Sequence, residues 1–305
     1  MTRRLLGMTL GLATLAGGLT ACSGGGSDAT ATSGNGVVQV VASTNVWGDV
    51  AKTIGGDAVH VTSFINDPSQ DPHEYEASVR NQLAIKNAGV VIENGGGYDD
   101  FMTKMVASVG DSNTVLNAVD ISGKKAAAGE DLNEHVWYDF PTVLKVAGAI
   151  KDKLATLDPS HANTFTKNLT TFTEQVKALE AQAASVKTAH GGQPVAITEP
   201  VPGYLLEACG LVNKTPEAFS AAIEDGNDVS VGILNDTLKL FTGHQVKALV
   251  YNEQTTGPVT QKVLDTAKSS NVPVVPVTET LPAGSTYVTW MKSQLTALST
   301  ALDRS

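Results

Sequence analysis

Two hydrophobic rhythms alternate along this chain. Short β-branched runs recur at Val37–Ala42 (VVQVVA), Ala58–Ile65, Gly89–Glu93 (GVVIE) and Thr114–Val119. Runs of this length and composition read as strands. Between them, Trp47–Ile54, Ser78–Asn87 and Asp99–Val109 read as helices. Strands separated by helices predict a mostly parallel sheet covered on both faces. From Pro141 the pattern turns helical. Asp158-Pro159 supplies an N-cap and a proline at the first helical position. The run that follows carries Phe165, Leu169, Phe172, Val176, Leu179 and Val186 at near-helical spacing and meets no further Pro or Gly before Gly191. At 1.5 Å per residue such a helix reaches about 45 Å, enough to bridge two lobes. The alternation then resumes. Strands at Pro194–Thr198, Ala248–Asn252 and Pro273–Val277 interleave with helices at Tyr204–Cys209, Val231–Phe241, Val259–Ser269 and Thr286–Leu302.

The predicted fold class is therefore α/β, with two lobes each built on a mostly parallel sheet flanked by helices and joined by a long rigid backbone helix. The expected divisions are residues 37–157 for the N-terminal lobe, 158–190 for the linking helix and 191–305 for the C-terminal lobe. No short sequence repeat accompanies the two halves.

The first residues do not belong to this pattern. Arg3 and Arg4 precede an apolar, Gly-containing stretch from Leu5 to Leu19, and Leu19-Thr20-Ala21-Cys22 closes it. A charged start, an apolar middle and a small-residue cleavage site make an export signal. The apolar run is short for a membrane span. The last four residues look like a bacterial lipobox, with residues 1–21 removed and Cys22 lipidated. Residues 22–36 are rich in Gly, Ser, Thr and Ala, the composition of a flexible tether. Lipidation would leave Cys209 as the one remaining cysteine, so stability rests on the core rather than on a disulfide.

Composition narrows the function. With 42% hydrophobic residues the 305-residue chain can bury a sizeable core. The net charge is −10, and removal of residues 1–21, which hold two arginines and no acid, takes it to −12. No basic patch stands out, so nucleic acid is not an expected partner.

Four polar segments stand out against this background. Asp71-Pro72-His73-Glu74-Tyr75-Glu76 and Asn133-Glu134-His135-Val136-Trp137-Tyr138-Asp139 lie in loops, whereas Thr198-Glu199-Pro200 and Thr278-Glu279-Thr280 follow predicted strands. In open α/β sheets, ligands bind outside the carboxyl ends of strands. Two imidazoles and two carboxylates suit zinc, manganese or iron. Each segment also has a plainer reading: a loop His is usually a surface residue, and an acid at a strand end is often a helix cap.

The same segments resemble the substrate-binding proteins of zinc and manganese ABC importers, and the likeness covers nearly all of the chain after the tether. VVAST-NVWGDVAKTIGGDAVHV from Val40, DPHEYEAS from Asp71, HVWYD from His135, DPSHANTFTKNL from Asp158, ITEPVPGYLLEACGL from Ile197 and VPVVPVTET from Val272 carry it. DPHEYEAS is the most specific. The resemblance implies His73, His135, Glu199 and Glu279 as metal ligands, two from each lobe. The transported ligand would be Mn²⁺ or Zn²⁺, with Fe²⁺ as a third candidate. It further implies an ABC permease and its cytoplasmic ATPase as partners, a lipid anchor on the extracytoplasmic membrane face, and a monomeric binding protein rather than an enzyme.

Departures from the family pattern accompany these motifs. Glu279 stands where Asp is usual, and it is the one acid between Asp265 and Asp303. Water is the alternative fourth ligand. The loop Ser122–Leu132 is short and has no His, where zinc-type members often carry a His-rich insertion. Glu224-Asp225-Gly226-Asn227-Asp228 replaces a usual Glu-Pro-Ser element. Asp139, Glu74 and Glu253 are candidate supports for the imidazoles, and Trp137 and Tyr138 either wall the site or pack the core. His60, His161, His190 and His244 read as structural or solvent-facing. The rival functions are a metal-dependent hydrolase, against which no HExxH motif is present, and a surface adhesin as a second role. Cys22→Ser should leave unprocessed precursor and abolish lipid labelling in the producing cell; normal processing with membrane retention would overturn the lipobox assignment.

Overall fold

The computed structural model describes residues 36–67, 75, 78–109, 114–126 and 131–304. The signal, Cys22, the tether up to residue 35 and the His73 segment lie outside them. The first sheet contains β1 (Val38–Thr44), β2 (Val59–Ile65), β3 (Val90–Glu93) and β4 (Thr114–Asn117) in the order β2-β1-β3-β4. The second contains β5 (Pro194–Ile197), β6 (Val212–Asn213), β7 (Leu249–Asn252) and β8 (Val274–Val277) in the order β6-β5-β7-β8. Every pairing is parallel. The two lobes thus repeat one topology without repeating a sequence.

Helices cover both faces of each sheet. The N-terminal lobe carries α1 (Asn45–Gly55), α2 (Val79–Asn87), α3 (Asp100–Val109) and the short α4 (Ala118–Ser122). Then come α5 (Phe140–Leu157) and α6 (Ala162–His190). The C-terminal lobe adds α7 (Gly203–Ala208), α8 (Glu217–Glu224), α9 (Val231–Thr242), α10 (Pro258–Ser269) and α11 (Tyr287–Asp303). All four residues of β3 and of β7 are buried, as strands covered on two sides must be.

The long helix α6 explains how the lobes are joined. Its 29 residues span about 43 Å. Its buried positions, Phe165, Phe172, Val176, Leu179, Ala183 and Val186, form one stripe. That stripe belongs to a single apolar cluster running from Val40 of β1, through α1 and α5, to Leu205 of α7 and Leu298 of α11. The outer faces have their own clusters, around Phe64 and Met102 in one lobe and Phe219 and Phe241 in the other.

Polar contacts lock the lobes together. Asn45 donates to the Leu281 carbonyl at 3.0 Å and accepts from the Leu281 N–H at 2.9 Å. Asp49 accepts from the Tyr287 N–H at 2.8 Å, capping α11 from the other lobe. The Tyr138 hydroxyl donates to the Thr278 carbonyl at 2.7 Å, and the Tyr287 hydroxyl to the Trp137 carbonyl at 2.8 Å.

Several boundaries differ from expectation. The strand expected to reach Val119 ends at Asn117, because the Asn117 side chain accepts from the Asp120 N–H and starts α4. The first turn after Asp158 is a 3₁₀ turn, Pro159–His161, and α6 proper begins at Ala162. Both β6 and α8 were unanticipated. Because one core serves both lobes, Phe172→Ala should lower stability by about 3–5 kcal/mol in urea unfolding, within a single cooperative transition. Two separated transitions would contradict a shared core.

Candidate metal centre

In the second sheet the chain leaves β5 and β7 on opposite sides, which opens a crevice at their carboxyl ends. Three functional side chains sit there. Glu199 lies two residues past β5, Asn252 ends β7, and Glu279 lies two residues past β8. All three are buried. The Asn252 amide donates to Glu199 Oε2 at 2.6 Å and to Glu279 Oε1 at 2.8 Å, so one Nδ2 holds two carboxylates side by side. The Asn252 N–H is itself fixed by Thr198 Oγ1 at 3.0 Å. Gln254 Oε1 accepts from the N–H groups of Glu279 and Thr280, at 2.6 and 2.9 Å, and clamps the loop after β8.

The N-terminal lobe supplies an imidazole. After β3 the Asp99 carboxylate accepts the N–H groups of Asn94 and Gly95, at 2.6 and 2.8 Å. Burial nevertheless pushes Asp99 up to about 6. The Asn94 side chain, so placed, accepts from Trp47 Nε1 at 3.2 Å and donates to the Glu134 carbonyl at 2.9 Å. Gly96 has φ of +72°, and a Cβ there would come within 3.0 Å of the Glu134 Cβ. The glycine lets this loop lie against the Glu134–His135 segment.

His135 is fully buried, with the rings of Tyr98 and Trp137 edge-on at 5.7 and 5.1 Å. Its Nδ1 lies 2.8 Å from Asn133 Oδ1. The Asn133 amide nitrogen donates across the lobes to the Pro200 carbonyl at 2.9 Å, which orients the amide oxygen toward the ring. His135 therefore donates from Nδ1 and turns the Nε2 lone pair into the cleft, the tautomer a metal requires. Glu224, the last residue of α8, brings Oε1 to 3.3 Å from that Nε2. Glu134, His135 and Glu224 can offer ligand atoms within 4.8 Å of one another. Burial, and then the charges of Glu134, Glu199 and Glu279, hold the Glu224 carboxyl far above its ordinary value. A cavity of about 760 Å³ opens beside this cluster, between the Glu134 loop and α7–α8.

Of the four residues the resemblance implied, His135, Glu199 and Glu279 are buried at this junction, the two acids joined by Asn252 and His135 beside Glu224. His73 and Glu74 fall outside the described residues. Asp139 does not support His135: it caps α5 by accepting from the Thr142 N–H at 3.0 Å and pairs with Lys124 at 3.2 Å. Asn133 takes the orienting role. Glu253 is exposed, and its neighbour Asn252 holds the acids. Trp137 packs on the His135 ring, while Tyr138 bridges the lobes. His60 is exposed, His161 pairs with Asp158 and His190 with Asp303. Glu224, Glu134 and the amides of Asn94, Asn133 and Asn252 had no assigned role in the sequence reading.

Two parallel-sheet lobes closing on a buried polar site define the two-lobed α/β class of binding proteins. The chain belongs to the ZnuA family, zinc-uptake complex component A, periplasmic, whose model matches residues 40–301. It is 29% identical over 159 residues to the manganese-binding lipoprotein MntA of Halalkalibacterium halodurans, covering 52% of this chain and 53% of that one. It is 26% identical over 238 residues to the iron ABC transporter substrate-binding lipoprotein MtsA of Streptococcus pyogenes, covering 73% and 74%. The chain thus spans about half the length of the first relative. The periplasmic zinc binding protein TroA of Treponema pallidum superposes with a TM-score of 0.75 at 19% identity, over 88% of this chain and 99% of that one, a likeness of fold.

The Glu224 environment has a thermodynamic consequence. Its folded-state pKa is raised above 4.5, so the folded chain binds the proton more tightly than the unfolded one. Stability of chelator-treated protein should therefore fall as pH rises from about 4.5 through neutrality, by up to about 1.4 kcal/mol per pH unit. Glu224→Gln, neutral throughout, should flatten that slope and be the more stable protein at pH 8 in urea titrations. Equal slopes would show that Glu224 ionises as easily folded as unfolded.

Proposed function

We propose that the protein is the extracytoplasmic, lipid-anchored substrate-binding component of a metal-ion ABC importer, capturing Mn²⁺, Zn²⁺ or Fe²⁺ between its lobes and passing it to a membrane permease powered by a cytoplasmic ATPase. The observation that carries this reading is the meeting, at the lobe junction, of the buried His135, Glu199 and Glu279 with the partly buried Glu134 and Glu224 beside the imidazole. Several carboxylates cannot all ionise in a low-dielectric pocket unless a cation joins them. A divalent ion supplies that charge and ties the two lobes in one step. His73, His135, Glu199 and Glu279 are the proposed ligands, with Asn133 and Asn252 holding their orientation. The names of the relatives, manganese-binding and iron ABC transporter lipoproteins, support a transition-metal cargo. The Cys22 lipobox agrees with those lipoprotein names. Among the described residues no helix is long and apolar enough to cross a membrane; the proposed anchor rests on the lipobox at Cys22.

Binding rather than hydrolysis is the reading that the relatives' names support, one a manganese-binding lipoprotein and the other an ABC transporter substrate-binding lipoprotein. The cation is cargo, held until the permease opens the lobes.

The test is metal titration of chelator-stripped protein. At a concentration one hundred times Kd, binding to the folded state adds about 2.7 kcal/mol, and the melting temperature should rise by several degrees with Mn²⁺, Zn²⁺ or Fe²⁺. His135→Ala, Glu199→Ala and Glu279→Ala should each weaken binding at least tenfold. Without metal, Glu199→Ala and Glu279→Ala should remain folded, since each relieves repulsion. No melting shift with any of the three ions would refute the reading.

A further inference from the structure

We propose that Glu224 is a further metal-contacting carboxylate, set at the inner end of an acid-lined cavity, and that it makes the site selective for an oxygen-preferring, six-coordinate cation of the Mn²⁺ type over Zn²⁺. This rests on the metal-capture reading above.

Geometry comes first. Glu224 Oε1 lies 3.3 Å from His135 Nε2, the ring atom turned into the cleft. Two donors that share an ion at 2.0–2.2 Å stand roughly 3.0–3.4 Å apart. The pair is therefore already spaced as neighbouring ligands of one ion. Glu134 completes a three-sided face with them, all donor atoms lying within 4.8 Å. Glu199 and Glu279, held together by Asn252 at the same junction, are near enough for their charges to bear on Glu224.

The local sequence rules oppose Glu224 where it stands. It is the C-terminal residue of α8, where the helix dipole disfavours an anion. Its side chain is only 11% exposed, so it is not a solvated surface acid. Its partners there are His135, at 3.3 Å, and the Glu134 carboxyl, which holds it only while a proton is shared. A cation reverses each of these terms.

The cavity adds direction. Its lining includes Asp131, Glu134, Glu207, Glu217, Glu224 and Asp225 and, among the described residues, no Lys, Arg or His. A cleft lined by one sign of charge concentrates counter-ions. Glu134 and Glu224 belong both to this lining and to the face around His135. A cation drawn along the cavity meets these two carboxylates before it reaches Glu199 and Glu279.

Glu134 and Glu224 beside His135, with Glu199 and Glu279 held at the same junction, make a donor set dominated by carboxylate oxygen. Carboxylate-rich, higher-coordinate sites suit Mn²⁺, whereas Zn²⁺ favours four ligands with nitrogen or sulfur. Zinc gains little from the extra oxygen, and manganese depends on it.

The experiment compares wild type with Glu224→Gln, which keeps the size of the side chain and removes its charge. Affinities for Mn²⁺ and Zn²⁺ are measured by competition with a chelating dye at one pH, after circular dichroism shows both proteins folded. Mn²⁺ affinity should fall ten- to a hundredfold and Zn²⁺ affinity less than threefold. Equal losses for both ions, or no loss, would overturn the assignment. The visible spectrum of Co²⁺-loaded wild type gives a second readout that needs no variant. Weak six-coordinate bands are expected, and intense four-coordinate bands would equally overturn it. If wild type binds none of these ions, the metal-capture reading itself fails; if wild type binds them and only the selectivity shift is missing, the role of Glu224 alone fails.

Discussion

Mutual repulsion among carboxylates at the lobe junction is the constraint around which this protein is organised. The charges of Glu134, Glu199 and Glu279 all bear on Glu224 there, with Glu199 and Glu279 buried and Glu134 and Glu224 partly so. Two unit charges about 4 Å apart interact by about 4 kcal/mol at a protein-like dielectric, more than a typical hydrogen bond contributes net. The cluster therefore needs scaffolding. Neutral amides provide it: Asn252 spans Glu199 and Glu279, Gln254 clamps the loop that carries Glu279, Asn133 orients His135, and Asn94 holds the backbone of Glu134. Amides donate hydrogen bonds without adding charge, so they position the acids while leaving the pocket anionic. A bound dication converts the largest unfavourable term in the pocket into the largest favourable one.

That reversal acts on a frame built to move little. The apolar stripe of α6 belongs to a core that both lobes share. The Asn45–Leu281 pair and the Asp49 cap on α11 cross the junction on one side, and Asn133 crosses it beside the site. On that frame the proposed gain or loss of one ion would shift the lobes only through small displacements around α6, since a wide hinge opening would break the shared core. Selectivity in such a frame depends on which donors stand within reach of the ion, since the pocket cannot reshape itself freely around each metal.

Much of this was legible in the chain. Alternating β-branched and helical runs marked most of the elements, and the unbroken stripe from Phe165 to Val186 marked the long helix. Glu199 and Glu279 were noticeable because acids stand after strands, and His135 because it is a loop imidazole with acids nearby, in a segment that resembles a family motif. The losses have physical causes. Strand β6 is two residues long, below the length at which alternation can appear. Glu224 meets His135 from a residue far away in sequence, at a helix C-terminus that local preferences deny to an acid, so no local pattern announces it. The amides carry no charge to advertise them, so Glu253 drew attention that belonged to Asn252. Asp139 was expected beside the imidazole and caps α5, because an aspartate one residue ahead of a helix is satisfied by the N–H groups it finds there.

The most direct test of metal capture at this junction is anomalous diffraction from crystals of the full-length exported protein loaded with Mn²⁺, recorded on both sides of the manganese edge. A single peak is expected between the lobes, within bonding distance of His135 Nε2 and of carboxylate oxygens from the C-terminal lobe. A loaded crystal whose manganese lies elsewhere, with His135, Glu199 and Glu279 all out of bonding reach, would contradict it.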